Sequence, residues 1–202
     1  GQLYANTRYP RGFNFNGRPW VTGHTYKSYA VDPVSNRMLF VGRTKHMYVY
    51  DPAVGDWVGR QVKPDGMNYN SCFYTLTMCP VQSGAKRGVV CWTKDGRLFH
   101  YDGEANAWTE MELTGDRLIG SVVDRGGIVH DSKRDRLICF SKPYKGAFDG
   151  RVCTVDLKTN QVQHLTPGGA AGMTDVGFLR EAVYDPKHDV VFLGVNFPPA
   201  VG

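Results

Sequence analysis

The chain has 202 residues, 42% hydrophobic and 21% charged, with 24 Gly, 11 Pro and 12% aromatic residues; this composition fits many short strands joined by tight turns in one or two domains. No apolar run reaches the roughly 18–20 residues of a membrane span, and residues 1–10 lack the charged and apolar regions of a signal peptide. Net charge is +5, but the 24 Lys and Arg residues are scattered, which argues against a nucleic-acid partner because such a partner leaves a clustered basic patch.

Residues 1–23 read as an N-terminal segment belonging to a preceding unit. The first clear unit covers about 24–62, with strands expected near 26–31, 37–42, 46–51 and 56–62. Its first turn runs from Asp32 to Asn36, and its last from Asp51 through Gly55 to Trp57. The second unit, about 72–113, repeats the last turn as Asp102, Asn106 and Trp108 but replaces the first with the longer residues 80–85. The third, about 125–165, carries both: Asp131 with Asp135, then Asp156 with Asn160 and Val162. The fourth, about 178–202, shows Asp185 with Asp189 and stops after its second strand. Each Asp is followed four positions later by Gly, Asn or Asp, residues that tolerate the positive φ of a tight turn. The Asp itself can accept backbone N–H bonds across the turn. No 3.6-residue apolar stripe is present, so the chain reads as all-β, in four-stranded antiparallel units of about fifty residues.

A repeated four-stranded unit of this length is the signature of a propeller blade. The apolar second strand, the Tyr-Asp third strand and the Trp six residues on resemble the kelch repeat. More narrowly, Gly23-His24-Thr25-Tyr26, Val31-Asp32-Pro33, Asn36-Arg37-Met38-Leu39-Phe40 and Arg180-Glu181-Ala182-Val183-Tyr184-Asp185-Pro186 are similar to bacterial galactose-oxidase-like kelch propellers. The Gly-Gly pair that follows the second kelch strand is reduced to Gly42 and Gly194. The resemblance implies a kelch-type β-propeller of which three and a half blades are present, and an extracellular or periplasmic location. Kelch rings have six or seven blades, so the chain reads as part of a longer one that carries the remaining blades. The other route to closure has residues 1–20 lend outer strands to the unfinished fourth unit.

The repeat also assigns most conspicuous residues to architecture. Cys91 and Cys139 align with Phe40 and Leu193 as apolar second-strand positions. Cys139 and Cys153 would oppose each other across a hairpin, where a disulfide is strained. The turn aspartates recur at equivalent positions, whereas a catalytic residue occurs once, where symmetry breaks. Trp57 and Trp108 read as blade core rather than sugar platforms. The six histidines, His24, His46, His100, His130, His164 and His188, form no close ligand pair, and nothing maps onto the ligands of a copper-radical oxidase. No metal, cofactor or catalytic residue is therefore assigned.

The irregular segments 63–71, 114–125, 143–150 and 167–177 are expected mainly on one face, where the connections between units lie. The first strand should be innermost, placing His24, Tyr26, Lys27, Asp124, Arg125, Arg180 and Glu181 at the rim of a central channel. Unlike the turn aspartates, these differ between units, which marks them as candidate ligand contacts. The expected function is a non-catalytic binding or scaffold module for a glycan or protein partner. The alternative is a carbohydrate-active enzyme domain, oxidase- or lyase-like, with its site at the channel mouth.

Overall fold

A computed structural model describes residues 27–41, 46–62, 77–93, 95–119, 126–141, 152–166, 168 and 178–196. Among them are fifteen strands and no helix. The first sheet is β1 (Tyr29–Val31), β2 (Met38–Val41), β3 (His46–Asp51) and β4 (Asp56–Val62), antiparallel in that order. The second repeats the arrangement with β5 (Thr77–Val81), β6 (Gly88–Trp92), β7 (Leu98–Asp102) and β8 (Ala107–Glu110). A short strand, β9 (Thr114–Gly115), leaves the second sheet. The third sheet is β10 (Gly126–Asp131), β11 (Arg136–Ser141), β12 (Val152–Asp156) and β13 (Gln161–Leu165), and β9 pairs in parallel with the outer edge of β13. The fourth is the hairpin of β14 (Phe178–Asp185) and β15 (Val190–Asn196).

The turns follow from local chemistry. The Asp32 carboxylate accepts N–H bonds from Val34 and Ser35, Asp51 from Ala53, Asp102 from Glu104 and Ala105, Asp156 from Lys158 and Thr159, and Asp185 from Lys187 and His188. Asp131 accepts the Arg134 N–H at 3.3 Å in the same way. Four residues beyond each Asp the chain turns through positive φ, at Asn36 (56°), Gly55 (73°), Asn106 (53°), Asp135 (48°), Asn160 (58°) and Asp189 (57°). Asn and Asp tolerate this region better than other side chains, which is why those types stand at that spacing.

Alternation along each strand sends side chains to opposite faces, and both faces are apolar. The face of the first sheet carrying Leu39, Val41, Met47 and Val49 packs with Val89, Cys91, Phe99 and Tyr101 of the second. The opposite face of the second, with Cys79, Val90, Trp92 and Leu98, packs with Leu137, Cys139, Cys153 and Val155 of the third. The third then presents Val129, Ile138, Phe140 and Val152 to Ala182, Tyr184, Val191 and Leu193 of the fourth. The sheets thus stack in series. Their first strands stand side by side: β1 beside β5, β5 beside β10, and β10 beside β14. Burying one such side chain contributes about 1.5–3 kcal/mol, against about 1 kcal/mol for a typical hydrogen bond. Face-to-face packing, rather than the turns, therefore dominates stability.

One segment differs from the sequence expectation. Residues 114–119 were expected as irregular chain on the loop face, but they run along the outer edge of β13. The free edge of β13 takes up the link, with Thr114 N–H donating to Asn160 O at 3.1 Å and Asp116 N–H to Val162 O at 3.0 Å. The Trp92 indole N–H then holds Ile119 O at 2.9 Å. The segments 63–71, 143–150 and 169–177 lie outside the described residues.

The turn carboxylates make stability depend on acid. The Ala53 amide and the Arg37 guanidinium hold Asp51 below the usual 3.8; the Ala105 and Glu104 amides do the same for Asp102, and the Thr159 amide for Asp156. The His188 ring lowers Asp185, and the Arg134 fork lowers Asp189. Because the folded values lie below the unfolded ones, this stabilisation is present above the unfolded value and disappears as pH falls through the folded values. The denaturation midpoint should hold steady above about pH 5 and fall progressively below about pH 4. A midpoint unchanged between those values and about pH 2 would contradict the assignment.

Candidate binding site

The first strands of all four sheets meet at one cavity of about 330 Å³. Lys27, Tyr29 and Val31 line it from β1 and its approach, Thr77, Met78 and Pro80 from β5, Gly127 and Ile128 from β10, and Ala182 from β14. Tyr29 is 53% exposed and Val31 50%, while Met78 and Ile128 are buried in the walls. A bond of 2.8 Å from the Met78 N–H to the Lys27 carbonyl ties the approach of β1 to β5. No carboxylate, imidazole or thiol lines the cavity among the described residues. The described lining is mostly apolar, with Lys27 and Thr77 as its polar side chains.

Of the residues expected at the channel rim, Lys27 lines this cavity and is only 7% exposed. Arg180 and Glu181 lie in β14, where the register shifts between Leu179 and Glu181, leaving Arg180 as the extra residue of a bulge. Their side chains, and His24, Tyr26, Asp124 and Arg125, lie outside the described residues. The cavity adds Tyr29 and Val31, which the sequence reading placed in an ordinary strand, and Thr77, to which it gave no role. A clue was present in Tyr29 and Val31, bulky apolar residues spaced two apart on the same side of an innermost strand.

The ionisable groups elsewhere serve the architecture. His100 Nε2 lies 3.3 Å from Arg87 O, and His164 Nε2 lies 2.8 Å from Arg117 O. His188 Nδ1 lies 2.6 Å from Asp185 Oδ2. His130 Nδ1 accepts the Gln82 N–H at 3.3 Å while Nε2 faces Asp135 at 3.6 Å; burial pushes this imidazole below its usual value. Arg134 forks onto Asp189 at 2.8 and 2.7 Å and also reaches Asp131 at 3.0 Å, joining the first turns of the third and fourth sheets. Burial and the Asp189 carboxylate push the Tyr184 phenol up to about 12. Trp57 meets the rings of Phe40, Tyr48 and Tyr50 edge-on, with centroids 5.4–6.3 Å away, and Trp108 donates its indole N–H to Met47 Sδ at 3.1 Å. Among the described residues no group of three or more His, Cys, Asp or Glu is placed to hold a metal ion.

Cys139 and Cys153 are cross-strand neighbours, as their sequence positions imply, and both remain thiols. No protein-family model matches the chain, and no curated protein sequence matches it.

Burial makes the thiols poor nucleophiles. It pushes Cys79 up to about 12 and Cys139 well above its usual value; Cys153 is raised as well. In the native protein Cys79, Cys91, Cys139 and Cys153 should remain unmodified by iodoacetamide at neutral pH and label fully in denaturant. Peptide mapping checks this site by site, and rapid native labelling of Cys139 or Cys153 would contradict the packed interface between the second and third sheets.

Proposed function

We propose that the protein is a kelch-like β-propeller acting as a non-catalytic binding module, which takes a glycan or protein partner at the cavity between its first strands and on the adjoining loop face. The observation that carries the reading is the convergence of β1, β5, β10 and β14 on one cavity, the arrangement radial packing of blades produces. Serial face-to-face stacking supports the same reading. Rigid strands position the cavity, and Tyr29 offers it a half-exposed ring that can stack on a sugar or a partner side chain. The alternative, an enzyme acting on carbohydrate, draws on Asp124, Arg125, Arg180 and Glu181 for ionisable groups at the channel mouth; no described contact favours it.

Glycan-array and partner-capture screens on the unmodified protein, followed by titration of the hit, test this proposal. Tyr29→Ala should weaken binding about tenfold or more, as loss of one anchoring aromatic does, while changing the unfolding free energy by no more than about 0.5 kcal/mol, as for an exposed position. Binding that is insensitive to Tyr29→Ala and to Thr77→Val would remove the cavity as the site, and turnover of a bound glycan would overturn the non-catalytic reading.

A further inference from the structure

The stacking of the sheets leaves two apolar faces over. The cross-strand pair Ala30 and Leu39 of the first sheet packs towards Met78 and Cys91 of the second. Cys79 and Val90 of the second pack towards Ile128 and Cys139 of the third, and Val129 and Ile138 of the third towards Ala182 and Leu193 of the fourth. Each step joins the forward face of one sheet to the backward face of the next, through equivalent pairs. The forward pairs of the first three sheets are at most 9% exposed. The forward pair of the fourth, Val183 and Phe192, is 59% and 61% exposed. The backward face of the first sheet is also bare at Tyr29 and Val31, 53% and 50% exposed, beside the rings of Phe40 and Trp57.

We infer that a second copy of the chain covers both faces: the fourth sheet of each copy packs on the first sheet of the other, in a closed pair with twofold symmetry. The two bare faces are the forward and backward halves of an interface the molecule already builds three times, between its first and second, second and third, and third and fourth sheets. Their pairing continues an established contact, and exposed apolar patches of this kind mark interaction sites. Within one molecule the two halves do not meet, since both stay exposed and the first strand of the fourth sheet packs beside β10. The complement therefore comes from another molecule, and a second copy carries both halves.

A contact between two different faces either closes into a ring or runs on as a filament. The first strands of the four sheets converge on one cavity, so the sheets wind about an axis and further sheets return around it. Two copies of four sheets stay within the roughly four to eight blades of closed propellers. This inference rests on the blade reading made above and names a second copy as the protein partner; Tyr29 then stands where the interface borders the cavity. Burying an unpaired charge in such a contact is costly, which gives the pairing a test by complementation. Phe192→Asp spoils the forward face alone, and Val31→Lys spoils the backward face alone. In a mixture of the two variants one contact joins two unaltered faces, and in the other the introduced acid faces the introduced lysine.

Sedimentation velocity on the full chain over a range of concentrations is expected to show a species of twice the chain mass. Phe192→Asp and Val31→Lys should each sediment as monomers, and their equimolar mixture should recover the dimer. Val183→Asp, on the same face, takes the place of Phe192→Asp if that variant loses the native near-ultraviolet circular dichroism. An unmodified chain that is monomeric at every concentration overturns the proposal, as does a mixture that stays monomeric. A dimer left intact by Val31→Lys also overturns it, because fourth sheets are then pairing with each other, and so do assemblies that grow beyond two copies. Ligand binding that depends on Thr77, in the cavity and on neither bare face, separates the two readings. A monomer whose glycan binding is lost in Thr77→Val sinks the pairing alone, and a dimer that takes no glycan leaves the pairing standing while the glycan reading falls.

Discussion

Every sheet in this protein has two apolar faces, and that constraint organises the rest. In β6 the alternation sends Val89 and Cys91 into one cluster and Val90 and Trp92 into the other, and all four are fully buried. A sheet built this way buries both faces only between two neighbours, as the second and third sheets do. The neighbours inherit the same requirement. Serial stacking follows, with the first strands brought side by side and the fourth strands carried outward. The cavity where β1, β5, β10 and β14 meet is what remains when twisted sheets are packed this way.

The turns play a different part. Their Asp carboxylates and positive-φ residues fix where each hairpin reverses, and so fix which side chains face which neighbour. Contacts between units act at the same level. Arg87 donates to the Pro33 carbonyl at 2.9 Å, the Ala85 N–H donates to Asp135 at 3.1 Å, and Arg134 bridges to Asp189. Gly84 allows the close approach at Asp135, since its φ is +87° and a Cβ there would run into the Asp135 carboxylate. Ion pairs this exposed contribute about 0–1 kcal/mol. They set alignment between neighbouring sheets, and the buried faces hold the sheets together.

The legible and illegible parts of the sequence separate along the same line. Turns such as Asp102 to Asn106 or Asp156 to Asn160 could be read because their chemistry is local and recurs at fixed offsets. The strand alternation that makes Cys91 and Cys139 core residues could be read for the same reason. The parallel pairing of β9 could not be, because Thr114–Gly115 is too short to carry a period and its partner Gln161–Val162 lies far along the chain. The cavity was only half legible. Differences between units pointed to the inner ends of the first strands, and Lys27 does line the cavity. Which first-strand side chains stay exposed depends on how neighbouring sheets meet, and the spacing of Tyr29 and Val31, two apart on one side of β1, was the one local clue to their place on the wall.

The central claim is that consecutive sheets pack face to face, and the contact between Met47 of the first sheet and Trp108 of the second reports on it directly. A double-mutant cycle of Met47→Ala and Trp108→Ala, read from denaturation midpoints, should give a coupling of about 0.5–3 kcal/mol, as residues in contact do. The control cycle pairing Met47→Ala with Trp92→Ala, which points to the opposite face of the second sheet, should be additive within about 0.5 kcal/mol. Additivity of Met47 and Trp108 would contradict the stacked arrangement.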